Sequence, residues 1–324
     1  MKKFSFYFKI ILLINLLFIF SGCSFYSLKG ERFLQQKDYK DGYLYFDKKV
    51  HDNKDNDLVN YYYARFLLAK NKPKLALKHF NKAILLNTTN SDYYTWQGVA
   101  YNSLKNYDKE LEAYKKAIAL DNKNIHALTY LGHNYFEQKK YILALDIYSK
   151  ALKLNPENKT ALYNRALSLK KLKRFPEELQ SWKLYLDYYP SGYFAVKAVE
   201  HLNNLGSFEY KNHIIGIRKV TLKDITFKPL SHELSSDSEP SLDVVGNLLT
   251  KLKSISIHII VYQLNNKKLA EQKATKIREY LLKNYKEIDS NRLKLSWLNQ
   301  SKSTVISEKK AKLDETVDFI TFVK

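Results

Sequence analysis

The chain has 324 residues, of which 45% are hydrophobic, so it is long and apolar enough for two domains with cores. Its net charge is +21, but only seven of its 54 basic residues are arginine. Phosphate readers tend to use the planar fork of arginine, so this balance gives little support to a nucleic-acid partner. The charge is compatible with attraction to an anionic envelope surface, or simply with a solvated, lysine-rich exterior. The single cysteine excludes an internal disulfide.

No pattern of catalytic residues stands out along the chain. The nine glycines are scattered and form no phosphate-binding loop, and neither a His-Glu-x-x-His motif nor paired cysteines are present. His126 and His133 lie seven residues apart on one predicted helix, but no third ligand accompanies them. We therefore expect no enzymatic activity, no metal site and no cofactor.

Residues 1–22 have the pattern of a secretory signal peptide. Three lysines precede an apolar stretch at 10–20 that is too short to span a bilayer comfortably. The sequence Phe-Ser-Gly-Cys at 20–23 resembles the bacterial lipobox, which implies lipid attachment to Cys23. By the same resemblance, Ser24 after the cysteine implies a lipid anchor in the outer membrane, on its periplasmic side. The alternative is an ordinary signal or anchor in which the cysteine is incidental.

Two consecutive 34-residue units run from Ser91 to Asn158. An identical period with small and aromatic residues at fixed slots predicts stacked helical hairpins, each with a first helix A and a second helix B. In each unit the glycine lets helix A approach helix B, and a tyrosine fills the space beside it. The pattern of small and aromatic slots resembles the tetratricopeptide repeat (TPR) family. The matched pairs are Gly98 and Gly132, Tyr101 and Tyr135, Tyr107 and Tyr141, Tyr114 and Tyr148, and Ala117 and Ala151.

The same period extends in both directions from this stretch. Units at 23–56, 57–90 and 159–192 keep most of the expected slots, and residues 193–205 predict a final helix with one apolar side. Such a helix would cap the last apolar face of the array. The resemblance therefore predicts an all-α TPR solenoid of about five helical hairpins plus a capping helix over residues 23–205.

The A helices are expected to line a concave groove with their slots 2, 5, 9 and 12. The side chains at these slots are a mixture of aromatic and basic groups, which suits an extended or acidic peptide of a partner protein. The alternative is that they are only solvated. The predicted groove residues are Tyr61, Arg65, Thr95, Asn102, His133, Phe136, Tyr163 and Lys170.

After Leu205 the 34-residue period ends, and a linker at 206–219 is expected before a second domain at 220–324. Alternating and β-branched segments predict four strands, with one amphipathic helix after each of the first two. The order β-α-β-α-β-β predicts a small α+β sandwich, with two helices on one face of a mixed sheet. The predicted strands are 222–227, 255–262, 292–298 and 316–322.

This order resembles the OmpA-like peptidoglycan-associated domain. The motif Asn-x-x-Leu-Ala-x-x-Lys-Ala at 266–274 is similar to that family's Asn-x-x-Leu-Ser-x-x-Arg-Ala. The resemblance implies contact with peptidoglycan through Asn266 and Lys273; the alternative is that Lys273 is merely solvated. The chain departs from the family at Lys273, which replaces an arginine, and at 261–264, which replace a Gly-His-Thr-Asp turn.

Together these patterns predict a lipid-anchored cell-envelope adaptor. It would bind a protein partner in the TPR groove and contact the cell wall or another envelope protein through a degenerate OmpA-like domain. One alternative is an assembly or pilotin-like lipoprotein of a secretion system or pilus that binds no peptidoglycan. A second alternative is an enzyme with an unrecognised fold in the last domain.

Overall fold

The computed structural model describes residues 25–306 and 309–323. Cys23 and the predicted signal peptide lie outside these ranges. The chain divides into two compact units, Met1–Pro156 (unit 1) and Glu157–Lys324 (unit 2). Helical hairpins occupy the described chain from residue 25 to about residue 200, and a smaller strand-containing region follows. None of the helices in the described ranges combines the length and hydropathy needed to cross a bilayer.

The described part of unit 1 consists of helices that pair into four hairpins. From α2 onward, helices of the same type begin 34 residues apart, so the predicted period is confirmed, and the described part of the first repeat is also a hairpin. The helices are α1 (residues 25–35), α2 (Tyr39–Asp52), α3 (Asp57–Ala69), α4 (Pro73–Leu86), α5 (Ser91–Ser103), α6 (Tyr107–Leu120), α7 (Ile125–Glu137) and α8 (Tyr141–Leu154).

An asparagine is the N-cap of each A helix from α3 onward. The side-chain oxygen of Asn56 accepts a hydrogen bond from the Val59 N–H at 2.9 Å, and that of Asn124 accepts one from the Ala127 N–H at 2.9 Å. Asn90 caps α5 in the same way through the Asp92 N–H. These bonds satisfy N–H groups that the first turn of a helix leaves free. The 34-residue period is thus fixed by capping as well as by packing.

Glycine sets the close approach of the two helices within a hairpin. A Cβ added at Gly98 would lie 2.3 Å from the ring of Tyr114, and one at Gly132 would lie 2.6 Å from the ring of Tyr148. Both tyrosine rings are buried. The predicted pairing of these glycines with these tyrosines is therefore confirmed.

Unit 2 begins with a fifth hairpin and the helix that was predicted as a cap, and it continues into strands. Helix α11 packs against α10 and against the first two strands. The elements are α9 (Lys159–Lys171), α10 (Phe175–Tyr188), α11 (Tyr193–Asn204), β1 (Tyr210–Ile215), β2 (Arg218–Lys223), α12 (Glu239–Lys251), β3 (Ile255–Gln263), α13 (Lys267–Asn284), β4 (Leu293–Leu298), β5 (Lys302–Ile306), β6 (Lys309–Leu313) and β7 (Glu315–Val323).

The strands that the structure describes form one mixed sheet and two hairpins. In the order β4-β3-β7, β3 runs parallel to β4 and antiparallel to β7. The β1–β2 hairpin lies beside β7, where the Thr321 hydroxyl donates to the Ile214 carbonyl and accepts from the Gly216 N–H. Apolar side chains of the strands and of α12 and α13 form one core. The predicted helices and the strands β3, β4 and β7 are confirmed.

Two expectations about unit 2 are wrong, and one hairpin is additional. The first strand is not 222–227: β2 ends at Lys223, and Phe227 forms only an isolated bridge to Leu234. Most of the expected linker at 206–219 is the β1–β2 hairpin. The β5–β6 hairpin was not predicted.

The boundary between the compact units also differs from the expected one near Leu205. Side chains tie the β1–β2 hairpin to the helices that precede it: the Tyr210 hydroxyl donates to Asp187 at 2.7 Å, and the Asn212 amide donates to the Val196 carbonyl at 3.1 Å. The fifth hairpin and α11 therefore group with the strands, and the division falls after Pro156.

A lysine with left-handed backbone geometry closes most of the A-to-B turns, and this offers a test of the repeat geometry. Lys105 has φ +56°, and the following Asn106 N–H donates to the Tyr101 carbonyl at 3.0 Å. Glycine adopts this conformation without the steric cost of a Cβ.

We expect Lys105→Gly to stabilise the protein by about 0.5–1 kcal/mol. Lys115→Gly, in the middle of α6, should instead destabilise it by about 1 kcal/mol. Thermal unfolding followed by circular dichroism measures the stability of both variants. An equal loss of stability in the two would contradict the left-handed geometry assigned to Lys105.

Candidate functional site

Three successive A helices bring a cation and two large aromatic rings together. The guanidinium carbon of Arg65 on α3 lies 3.4 Å from the ring centroid of Trp96 on α5. The Trp96 ring meets that of Tyr130 on α7 edge-on, with centroids 6.1 Å apart. All three side chains are half-buried. We call this shared face of α3, α5 and α7 the A-helix surface.

Arg65 is held in place but is not neutralised. Its Nη1 donates to the Tyr61 hydroxyl at 2.8 Å, and its guanidinium stacks on Trp96. Among the described residues, no carboxylate lies within 4.0 Å of this guanidinium. A guanidinium has five N–H donors, so most of them remain available to an acceptor from outside. The A-helix surface thus presents a rigid cation beside aromatic rings.

Two predicted groove residues lie in the core instead. Tyr61 is 4% exposed, and its ring packs against that of Tyr93 with centroids 4.9 Å apart. Thr95 is 0% exposed; its hydroxyl donates to the Ser91 carbonyl at 3.0 Å and lies 3.3 Å from the Asn124 amide nitrogen. The prediction that these side chains point into an open groove is wrong, because both hold neighbouring turns and hairpins together.

Two further predicted groove residues, Asn102 and His133, lie near the buried carboxyl of Glu110. The Asn102 amide donates to Oε1 of Glu110 at 3.1 Å, and His133 is exposed nearby, where it favours the ionised form of Glu110. Glu110 itself is 1% exposed, and its Oε2 has no hydrogen bond within the described residues. Burial raises the pKa of the Glu110 carboxyl, and the hydrogen bond from Asn102 opposes this.

The remaining predicted groove residues are distributed between the two units. In unit 1, Phe136 is half-buried and its ring packs edge-on against Tyr141. In unit 2, Tyr163 contacts the partly exposed Phe194, with centroids 4.9 Å apart. Lys170 is exposed.

The ammonium of Lys170 donates to Nδ1 of His201 at 2.8 Å. Burial and Lys170 lower the pKa of His201 to about 4, so the imidazole is neutral and accepts this bond. Lys170 thus belongs to a local pair on unit 2.

The sequence contained a signal for the residues that were missed. Trp96 and Tyr130 occupy the same slot, 34 residues apart, and neither belongs to the small-and-aromatic pattern that builds the hairpin. A bulky aromatic that recurs at such a slot indicates a surface role. Glu110 stands at a slot where the repeat pattern has a small residue.

The structure corrects the expected wall contact in unit 2. Lys273 is 2% exposed; its ammonium donates to Gln263 and pairs with Glu315, each at 2.7 Å, and lies over the Phe227 ring. It is therefore neither solvated nor open to a wall polymer. Asn266 is exposed, and its side-chain oxygen caps α13 by accepting from the Leu269 N–H at 2.9 Å. Within the described ranges, no group of three His, Cys, Asp or Glu could hold a metal ion.

Comparison with known proteins identifies the hairpins. Residues 91–124 match the family described as tetratricopeptide repeat, and residues 132–173 match a second family described as TPR repeat. No curated protein sequence matches the chain.

A solved structure shares the helical fold of the repeats, and others resemble part of it. PilF of Pseudomonas aeruginosa is 18% identical, with a TM-score of 0.51; the match covers 57% of this chain and 84% of that one. YrrB, titled a TPR protein with an unusual peptide-binding site, is 21% identical over 49% and 84% of the two chains, with a TM-score of 0.41. MamA of Desulfovibrio magneticus is 18% identical over 44% and 79%, with a TM-score of 0.41.

The buried carboxyl of Glu110 should give the protein a measurable pH dependence. The pKa of this carboxyl is higher in the folded protein than in the unfolded chain, so its ionisation at neutral pH lowers the free energy of unfolding. That loss is regained as the pH falls towards the pKa of the carboxyl in the unfolded chain. We expect Glu110→Gln, which keeps an oxygen for Asn102, to gain stability relative to the wild type at pH 7 and to lose this gain near pH 4. Urea unfolding at several pH values measures the difference. Glu112→Gln, on the exposed side of the same helix, is the control; the same pH-dependent gain there would contradict the assignment.

Proposed function

We propose that this chain, whose tetratricopeptide repeats make it a protein-interaction scaffold, is a lipid-anchored adaptor of the cell envelope. The observation that carries the proposal is the Arg65–Trp96–Tyr130 cluster, in which a half-buried cation lacks a carboxylate partner within the described residues. Interface hot spots are enriched in these three residue types. The A-helix surface is the docking site for the partner in this proposal.

The chemistry of the A-helix surface favours an acidic, extended segment of a partner protein. A carboxylate can accept two parallel hydrogen bonds from the guanidinium of Arg65, which stacking on Trp96 already orients. A preceding apolar side chain could pack on the rings of Trp96 and Tyr130. A neutral segment would leave the arginine unpaired, so the surface discriminates by charge as well as by shape.

Placement in the envelope rests on the N-terminal sequence. A signal-like segment that ends in Phe-Ser-Gly-Cys supports lipid attachment to Cys23 and retention at the outer membrane. The described part of α1 begins at residue 25, two positions after Cys23, so in this proposal the anchor joins the first hairpin almost directly. The partner would then be held close to the membrane surface.

The strand region of unit 2 is proposed to be a degenerate OmpA-like domain. The order of α12, β3, α13, β4 and β7 agrees with that resemblance.

The same region favours a second candidate function, an assembly factor for a secretion system or pilus that does not bind peptidoglycan. Two observations support this candidate: Lys273 is neutralised internally, and three exposed isoleucines line one open cavity, Ile214, Ile217 and Ile320. Crosslinking in cells distinguishes the functions, because wall contact requires adducts with peptidoglycan and the second candidate requires adducts with envelope proteins.

The docking site can be tested by removing the charge of Arg65. Arg65→Met keeps an apolar stem on Trp96, so the fold should survive while the partner's carboxylate loses its ligand. We expect partner affinity to fall about tenfold or more, measured by affinity capture from solubilised envelopes with quantitative mass spectrometry.

Lys115→Met is the matched control for this experiment. It removes the same charge from an exposed position of α6, and it should leave capture unchanged. If both variants retain the partner equally, the A-helix surface is not the docking site.

The lipid anchor can be tested independently of the partner. Cys23→Ser removes the only thiol in the chain, so the protein should incorporate no labelled fatty acid and should leave the membrane fraction. Ser24→Ala should remain lipidated. Membrane retention of Cys23→Ser would contradict the proposed anchor.

A further inference from the structure

A cavity of about 320 Å³ lies between α2, α3 and α4 of unit 1, and its lining is rich in cations. Its residues come from slots other than 2, 5, 9 and 12, so the cavity is separate from the predicted groove positions. The polar groups that matter are His51, Lys54, Asn60, Lys78, His79 and Lys82.

The positive charge in this cavity is only partly neutralised. Lys82 pairs with Asp55 at 2.7 Å, but the ammonium groups of Lys54 and Lys78 have no carboxylate within 4.0 Å in the described part of the chain. Of the described residues that line the cavity, none is acidic. Cations that converge without a counter-charge repel one another, so an anion would be attracted from solvent.

The imidazole of His79 is held at one edge of this cavity by buried neighbours. Asn60 is 1% exposed, and its amide donates to the carbonyls of Lys54 and Asn56 at 2.9 and 2.8 Å. Its oxygen must therefore accept, and the partner 3.0 Å away is Nδ1–H of His79. The ring of Tyr63 also packs edge-on against the imidazole, with centroids 4.7 Å apart.

Within the described residues, the second ring nitrogen of His79, Nε2, makes no hydrogen bond, so it is available to a ligand. Burial, Lys78 and His51 lower the pKa of His79, so the ring is neutral when the cavity is empty. Of the nearby carboxylates, Asp47 accepts from the Tyr63 hydroxyl and Asp55 pairs with Lys82. A dianion in the cavity would favour the protonated ring, whose Nε2–H could then donate to it.

The repeat pattern does not account for this set of residues. One period later, Glu112 and Ala113 stand where Lys78 and His79 stand here; two periods later the residues are Asp146 and Ile147. At that later position Asp146 pairs with Lys150, which occupies the same repeat slot as Lys82. The cationic cavity is therefore specific to the second hairpin.

We propose that this cavity binds a phosphate group, carried by a small monoester or by a lipid headgroup. A phosphate monoester carries nearly two negative charges at neutral pH and offers several acceptor oxygens. Lysine ammonium groups bind such a group as point charges, and the imidazole adds a directed donor. The size of the cavity admits the phosphate with the first atoms of its carrier. This site does not depend on the protein partner of the A-helix surface.

The test uses the full-length chain in detergent micelles, with carbon-13-labelled histidine and inorganic phosphate at constant ionic strength. His79, assigned by its loss in His79→Gln, should show a pKa raised by about one unit or more in millimolar phosphate. A second arm compares vesicles that contain phosphatidic acid with vesicles of phosphatidylcholine alone. A response of His79 to free phosphate shows that the phosphate group alone is bound, as a soluble monoester requires. A response confined to the phosphatidic acid vesicles identifies a lipid headgroup.

Charge-matched variants separate a built site from a general basic surface. Lys54→Met with Lys78→Met should weaken phosphate binding at least tenfold, whereas Lys116→Met with Lys150→Met, at exposed positions one and two hairpins away, should not change it. Equal weakening in both pairs would overturn the proposal. So would the absence of a His79 response in both the free-phosphate and the vesicle arms.

Discussion

The separation of the two helices in a hairpin depends on contact between a glycine backbone and an aromatic ring. At Gly98 and Gly132, any side chain would overlap the buried rings of Tyr114 and Tyr148. Protein interiors are close-packed, so these rings cannot move aside without leaving voids elsewhere. With this separation fixed, successive hairpins stack in the same register, and equivalent slots of α5 and α7 meet. The contact between Trp96 and Tyr130 follows from that register.

Polar side chains on the A helices perform two different tasks, and burial separates them. Thr95 and Asn124 bond to each other and to neighbouring turns, so they join one hairpin to the next. Arg65 has only the Tyr61 hydroxyl as a hydrogen-bond partner, and its charge is unbalanced within the described residues. A half-buried cation of this kind is less well solvated than one in water, and a partner carboxylate would compensate for that loss. The A-helix surface is therefore more than a by-product of repeat packing.

The sequence predicted the hairpins because each one is built from local contacts that repeat. Gly98, Tyr114 and the asparagine caps all lie within one period, so a single stretch contains the complete rule. The β1–β2 hairpin could not be found in this way. Its inward positions include Lys211, which is buried with its ammonium paired to Asp224 at 2.7 Å and bonded to the Thr316 hydroxyl. Alternation of apolar and polar residues does not reveal a strand whose buried positions are charged.

The same limit explains why the groove was only partly predicted. Slot numbers identify the side of a helix, but they do not show which side chains the neighbouring repeats cover. Tyr61 lies on the expected helix, yet the ring of Tyr93 from the next hairpin covers it. The boundary after Pro156 was also invisible, because it depends on long-range bonds such as that from Tyr210 to Asp187.

Arg65 and Lys273 were both expected to meet a ligand, and the structure distinguishes them. A motif places Lys273 at a binding position, but Glu315, some forty residues later, neutralises it, and Gln263 and Phe227 complete its surroundings. A ligand carboxylate would have to displace an ion pair that is already formed inside the protein. Arg65 has no such competitor within the described residues, and its geometry is set by stacking rather than by a counter-ion. Because a ligand gains most where the protein has left a charge unpaired, recognition is favoured on the helical repeats over the Lys273 position.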